Sequence, residues 1–542
     1  MKRAPQRRRM IVVITLAVAF AAAGCVAGRP DSSDSLPPAS PEVPALWSGP
    51  LAQPDQTQLP GSERSIGGLT SFGPLEDCWQ ARPSPAGKRV ALVANDRRSL
   101  AVYSLSGDEP QGDIVLTWRG PGAVDPYADP WTASGQIGLL GRRDDSTLVF
   151  VAGEPDPSGT GTGNGVGVWI VDVGTRKSER LTWLAVQGYR DQPQSRWLTA
   201  DGKTAVVIHW RADLPGSPLV TLVTAVDLET GAARTVATSV PIYEPGGMSL
   251  FQRTADGWAI AWQTPDQRGA PAATDVHVLN LRDGRDRIVY RTGEDGAAAG
   301  LVWSPDGTRL AVFAAEPGDK FAVVKNRDDW TDWVAPKCII VAADGRTAVK
   351  VIAPGDGFAP EASWSPDGRR VTLHGTEIVP LPTPNDYGLK CTARVGPMYV
   401  ADLSGSVTQV ASPPPEQAAD LTVQAAYSAD GSLSVTYAWN TGCRTTLFDA
   451  ALNRVGEWSE LRPVLAELRI IATTGGWVAS DRNMLGLYVV SDTGERNELL
   501  PGTWRVTQFY ARSAGGLVLL PASSTSELDS FAQRLFVLPA QR

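Results

Sequence analysis

The sequence predicts an all-β chain built from repeated four-stranded units, and three observations carry that prediction. The phrase WSPDGTRLAVF, from Trp303 to Phe313, returns as WSPDGRRVTL from Trp364 to Leu373. After each copy apolar residues recur at every second position, which is the period of a strand and not of a helix. The composition is rich in turn-formers and aromatics, with 54 Gly, 42 Pro and 18 Trp in 542 residues, and helical periodicity is scarce. A chain this long exceeds one ordinary compact core unless repeats build it.

Ser-Pro-Asp-Gly is a turn with a mechanism. Pro presets φ at the first central position of a type I turn, Asp tolerates the second, and Gly takes the left-handed position that follows. The next residues put Leu310 and Val312 on one side of a strand and Arg309 and Ala311 on the other. The phrase is therefore a hairpin corner. Degenerate copies begin at Arg82, Gly141, Leu198, Arg253, Tyr427, Ala472 and Ala511, so nine corners can be marked. A second pair of runs follows each corner and is joined by a tight polar turn, as in VTAVDLETGAARTV, VHVLNLRDGRDRIV and IIVAADGRTAVKV. Each unit thus reads as four strands, A to D, and recurs at roughly 40 to 63 residues. One such sheet cannot bury both faces alone. Stacking the units around an axis covers the faces and leaves only short edges, which makes the architecture a β-propeller. Rings of four to eight blades are the norm. The last unit lacks its fourth strand, so eight blades are expected, with seven and nine as the alternatives. An N-terminal strand is expected to complete the last blade.

Trp303-Ser-Pro-Asp-Gly307 and Trp364-Ser-Pro-Asp-Gly368 resemble the TolB-type, WD-like propeller repeats of bacterial envelope proteins. The resemblance covers the chain from about Gly73 onward. It implies the fold and an envelope setting, and it does not name a ligand. The copies are not sialidase Asp-boxes, because Gly directly follows Asp. Propellers of the prolyl-peptidase type are also similar, but the repeats leave no stretch for the hydrolase domain that such enzymes carry.

The first residues read as an address. Lys2, Arg3, Arg7, Arg8 and Arg9 precede the apolar run MIVVITLAVAFAAA, which is too short for a typical membrane span. AAGC follows and resembles the lipobox of bacterial lipoproteins, although Ala22 stands where Leu is usual. That resemblance implies that residues 1–24 are a signal peptide and that Cys25 becomes the lipidated first residue. RRMIV also resembles a twin-arginine export signal, which leaves the export route open. Removing residues 1–24 takes away five positive charges and no acids, so the formal charge passes from −8 to −13. So acidic a chain is a poor partner for nucleic acid, whose phosphates bind by exchange of counterions for Lys and Arg. Residues 25–64, rich in Pro, Ser and Asp, read as a disordered tether spanning on the order of 30 Å. Residues 65–542 are the propeller.

No residue pattern names a reaction. His209 and His277 fall in alternating strands, His374 is the third of three His, and none has a second His at metal-ligand spacing. There is no G-x-S-x-G nucleophile elbow. SGTGTGNGVG, from Ser158 to Gly167, lacks the Lys-Ser/Thr of a phosphate loop and reads as a hairpin loop. The acid pairs Asp144-Asp145 and Asp328-Asp329 read as solvated loop charges. No catalytic residue, metal or cofactor is assigned. Beyond Cys25, four cysteines remain, Cys78, Cys338, Cys391 and Cys443. An even count in an exported chain suggests disulfides. Cys391 is expected to bridge neighbouring blades by pairing with Cys338 or Cys443.

The A–B corners and C–D turns are short and share one rim, while the long B–C and D–A connections share the other. Aromatic and Arg side chains gather in those long connections: Trp118, Arg119, Tyr127, Asp129 and Trp131; Tyr189 and Arg190; Arg327, Asp328, Trp330 and Trp333; and Tyr387. Such residues concentrate binding energy, and loops on a rigid scaffold carry function. The expected function is a monomeric, membrane-anchored envelope lipoprotein whose propeller binds a protein, peptide or glycan without catalysis. The alternative is an envelope enzyme carried on a propeller, a lyase, glycosidase or quinone-dependent dehydrogenase. Anchoring is open to direct test. In Cys25→Ala cells the precursor should stay uncleaved or the protein should be released, and labelled fatty acid should no longer enter it; equal labelling of the variant refutes the anchor.

Overall fold

The computed structural model describes the strands between Ser65 and Pro539 and most of the tight turns that join them. Residues 1–64 and the longer connections lie outside the described residues, Cys25 and the tether among them. All described elements are strands, and every pairing is antiparallel, as in Trp303↔Leu310 and Trp364↔Val371. Seven separate sheets of four strands follow one another along the chain. They are blades 1 to 7: residues 78–117, 137–185, 196–238, 251–291, 297–351, 357–411 and 422–460. Seven is one of the two alternatives kept beside the expected eight.

The strands before blade 1 and after blade 7 form one eight-stranded sheet, and Val324–Lys325 pairs with Thr331–Asp332 in a two-stranded sheet within blade 5's long connection. The eight-stranded sheet is continuous because the 16-residue strand Arg496–Ala511 serves two units. Its earlier residues pair with Leu485–Ser491 and its later residues with Gly516–Ser524. The expected N-terminal contribution is present, since Leu69–Leu75 pairs with the last strand, Gln533–Pro539. Both remaining corners, between Arg469–Thr473 and Gly476–Ser480 and between Ala511 and Gly516, join antiparallel neighbours within this sheet.

The first strands of successive blades touch each other, so they line the axis and the fourth strands face outward. This is the arrangement of a β-propeller. It also shows what the alternation of each second strand separates. In Arg309–Ala315, Leu310 to Ala314 are all 0% exposed. Leu310, Val312 and Ala314 pack with Ala261, Val276 and Val289 of blade 4. Ala311 and Phe313 pack with Phe358, Trp364 and Leu373 of blade 6. The period of two separates one seam from the other, not core from solvent.

The corner owes its geometry to more than Pro and Gly. Ser304 Oγ accepts the Arg309 N–H at 2.9 Å and donates to Asp306 Oδ1 at 2.6 Å. Asp306 Oδ1 also accepts the Thr308 N–H at 3.1 Å. Ser365 and Asp367 repeat the relay, and Thr199 with Asp201 and Thr254 with Asp256 make it without Pro. The working pattern is therefore Ser/Thr-x-Asp-Gly. Gly307 and Gly368 hold φ of 66° and 64°, where a Cβ would strain the backbone. Burial opposes the charge on Asp306 and Asp367, but hydrogen bonds from the corner outweigh it and lower both pKa values. A carboxylate with a lowered folded pKa stabilises above its ordinary value, and that contribution fades as pH falls through the folded pKa.

Corners also join blades. Trp303 Nε1 donates to Gln252 O at 3.1 Å, Trp364 Nε1 to Val302 O at 3.1 Å and Trp197 Nε1 to Gly257 O at 2.9 Å. Each bond crosses a seam, so the aromatic that opens the repeated phrase is a blade-to-blade connector. The relay predicts an asymmetric mutational response. Ser304→Thr should leave the thermal transition unchanged, as Thr does the same work at positions 199 and 254. Ser304→Ala leaves the Arg309 N–H without its acceptor and takes one of its donors from Asp306, and should cost about 1–3 kcal/mol in denaturant unfolding; equal stability of the two variants refutes the relay.

Candidate functional site

Antiparallel order puts the A–B and C–D turns of every blade on one rim. Among the described residues they are uniformly tight: 143–146, 199–203, 254–258, 304–308 and 365–369 for the corners, and 173–177, 228–232, 281–285, 343–347, 403–406 and 449–453 for the C–D turns. Side chains close these turns locally. Asp172 Oδ1 accepts the Thr175 N–H, Asp227 the Thr230 N–H at 2.8 Å and Asp402 the Ser404 N–H at 2.8 Å. Turns of adjacent blades then lock together: Arg143 Nη1 donates to Leu228 O at 3.1 Å and Arg234 Nη2 to Leu281 O at 2.9 Å.

The opposite rim receives the other connections. They include 118–136, 186–195 and 239–250 between blades, and 156–163, 212–219, 264–274, 316–336 and 381–390 within blades. Short ones also occur there, namely 95–98, 292–296, 352–356, 440–441 and 481–484. Trp118, Arg119, Tyr127, Asp129, Trp131, Tyr189, Arg190, Arg327, Asp328, Trp330, Trp333 and Tyr387 all belong to connections that leave from this rim, and all lie outside the described residues. Trp183 is described. It lies on the strand Ser178–Ala185, half-buried, in the space that Gly165 leaves on the adjacent strand, so it packs its own blade.

The three histidines sit in strands. His209 is 3% exposed and its Nε2 meets Thr224 Oγ1 at 3.0 Å. His277 stacks on Trp262 with ring centroids 4.0 Å apart and holds Asp286 through Nδ1 at 3.0 Å. Burial draws the His374 pKa down to about 4, which keeps its imidazole neutral. Asp144 is no free loop acid, since its Oδ1 accepts the Ser146 and Thr147 N–H groups at 2.8 Å. Asp328 and Asp329 lie outside the described residues. Among the described residues no three His, Cys, Asp or Glu come together as a metal-binding group.

The expected disulfide is corrected. Cys338 and Cys443 are both buried thiols, outside any disulfide. Register gives the reason. Cys338 pairs with Phe313, and its counterpart in blade 6 is Met398, which pairs with His374. Cys391 stands seven residues before Met398, at the outer end of the 12-residue strand Cys391–Asp402. At ~3.3 Å per residue that is about 23 Å from the level of Cys338, whereas a bridge needs Cα atoms about 4.4–6.8 Å apart. Cys443, which pairs with Ala438, stands one residue outward of the level of Cys338, which still leaves about 20 Å along the strand direction. Cys78 begins the first strand of blade 1 and Cys391 the third strand of blade 6, and the side chains of both lie outside the described residues.

Arginines on the first strands form a pattern that the sequence reading passed over. Arg82, Arg142, Arg196 and Arg253 stand one to three residues before the corners of blades 1 to 4. None of these four strands contains an acid: CWQARP, IGLLGR, RWL and FQR. Arg196 is 4% exposed and its guanidinium fills the space beside Gly138 of blade 2. Arg253 stacks over Trp197 of blade 3 at 5.4 Å. Burial, helped by the charge of Arg82, draws its pKa down to about 10. Burial does the same to Arg142, also to about 10, with Arg89 adding to the effect. The signal was available: an Arg closely precedes each of the first four corners, whereas Trp303, Trp364 and Tyr427 occupy that place in blades 5 to 7.

No protein-family description matches the chain, and no curated protein does. Solved structures with a similar course exist at low identity. Dipeptidyl peptidase 4 of Porphyromonas gingivalis is 13% identical, with a TM-score of 0.40, covering 62% of this chain and 50% of that one. An oligogalacturonate lyase in complex with manganese is 14% identical, TM-score 0.34, covering 70% and 97%. The β-propeller domain of the trilobed protease from Pyrococcus furiosus is 13% identical, TM-score 0.28, covering 67% and 95%. The chain thus spans half the length of the dipeptidyl peptidase it matches.

The cysteine geometry has a direct readout. Burial pushes the Cys338 thiol far above its usual pKa, so it should resist a thiol reagent in the native protein and react only on unfolding. Non-reducing peptide mapping should recover Cys338 and Cys443 without a bridge to each other or to Cys391; a peptide linking Cys391 to either one would restore the stapled-blade reading.

Proposed function

We propose that this chain is an exported, TolB-like envelope lipoprotein, held at the membrane through Cys25 and the tether of residues 25–64. Its propeller is a non-catalytic binding module that captures an envelope protein, peptide or glycan. The observation that carries this reading is the difference between the two rims. One rim is closed by turns of four or five residues that are bonded to one another. The other receives nearly all of the chain's long connections, where the aromatic and Arg residues named above are concentrated. A rigid stack of blades that spends its variable sequence on one face is built to present that face. The tether gives the face reach from the membrane surface.

Alanine at Trp131, Tyr189 and Trp330 should weaken partner capture by crosslinking in intact cells, with the thermal transition of the purified protein little changed. Each true anchor should cost at least about 1–2 kcal/mol of binding. If charge reversals on the tight-turn rim abolish capture and the three alanines leave it intact, the face has been assigned the wrong way round.

A further inference from the structure

One buried charge plays no part in the rim reading. Arg142 ends the first strand of blade 2 and is 6% exposed. Its Nη1 donates to the Asp145 carbonyl at 2.8 Å, while Nε and Nη2 are buried with no hydrogen-bond partner. Those two nitrogens form one edge of the planar guanidinium, the edge that takes an oxyanion through two parallel bonds. Arg291 shows that use in this protein: its Nε and Nη2 hold the two oxygens of Asp275 at 2.7 and 2.9 Å.

The surroundings sharpen the case. Arg89 of blade 1 also donates to the Asp145 carbonyl, at 3.2 Å, so two guanidinium groups converge on one oxygen. The corner's two acids, Asp145 and Asp144, attract Arg142 through space but bond to neither nitrogen of the fork, and Asp144 is committed to the Ser146 and Thr147 N–H groups. A buried cation with two unmet donors beside a second cation is costly, and an anion at the fork removes both the unmet donors and the repulsion. The chain as a whole has a formal charge of −8, so this local excess of positive charge runs against its composition.

We propose that the seam between blades 1 and 2, at the tight-turn rim, is a site for an oxyanion, a carboxylate or a phosphate, held on the Nε–Nη2 edge of Arg142 with Arg89 as the second cation. The site is separate from the long-connection rim and stands or falls independently of it. Both nitrogens are covered, so the anion enters by local opening of the seam and stabilises the closed state by mass action.

The test is thermal unfolding of the full chain at constant ionic strength, with inorganic phosphate in one arm, a tricarboxylate in a second, and chloride as the reference. The transition should rise with the concentration of at least one oxyanion above the chloride reference, and the stronger arm identifies the chemistry. Arg142→Met should abolish that rise, and Arg142→Lys, which keeps the charge and loses the fork, should weaken the apparent affinity by about tenfold. Arg89 is exposed, so Arg89→Met should fold normally and weaken the response severalfold, which keeps the test decisive if Arg142→Met does not fold. No rise for either oxyanion, or an unchanged rise in both Met variants, overturns the proposal.

Discussion

A strand that is apolar on both faces needs a neighbour on each side. Leu310 to Ala314 show the constraint in one stretch: every side chain is sealed, alternately by blade 4 and by blade 6. Fully burying a Val, Leu or Phe side chain is worth roughly 1.5–3 kcal/mol, and the clusters at the seams collect seven to twelve buried apolar residues each, Ala among them. The other seams have the same composition, as where Val206 and Ile208 of blade 3 meet Ile260 and Trp262 of blade 4. No blade is therefore a stable object alone. Order propagates from blade to blade, and the corners and turns follow from the need to deliver the next sheet in register.

Polar groups at the edge of each seam set that register. The hydroxyl of Ser304, Ser365, Thr199 or Thr254 takes a backbone N–H and passes its own proton toward an Asp. The indole N–H of Trp303 or Trp364 then fixes the angle to the preceding blade. Hydrophobic burial supplies most of the stabilisation and has no direction; these bonds supply direction. The division explains why the repeat is so degenerate in sequence. Any apolar residue can fill a seam, but only Ser or Thr followed by Asp and Gly closes the corner in this way.

The two ends of the molecule divide structure from variation. The tight rim spends its polar residues on itself, which leaves little freedom for substitution. The opposite rim carries connections of many lengths, from residues 440–441 to residues 316–336, without disturbing a blade. The arginines on the first strands of blades 1 to 4, with Arg142 and Arg196 buried and Arg82 and Arg253 half-buried, are the exception on the tight side. At Arg142 no carboxylate bonds to the Nε–Nη2 edge, although Asp145 and Asp144 act on it through space. A charge kept at such a cost calls for a ligand that compensates it.

Much of this architecture was legible in the sequence because it rests on local chemistry. A turn with Pro, Asp and Gly at fixed places and a period of two after it need no tertiary knowledge, and all nine marked corners fall between paired strands. The contribution of Leu69–Leu75 to the last unit was legible as a missing fourth strand. Three things were not legible, for physical reasons. The period of two reports only that the two faces of a strand differ, and which blade seals each face is decided by the stacking. Cys338, Cys391 and Cys443 looked like partners by position in the repeat, but a disulfide depends on distance, and the ribbon of Cys391–Asp402 carries Cys391 far from the level of the others. The arginines ahead of four corners carry no mark of burial in the sequence. Their burial, and the open fork of Arg142, arise only when blades separated by tens of residues close on each other, so the sequence alone determined the repeat and its corners while the stacking of blades decided which charges were sealed inside.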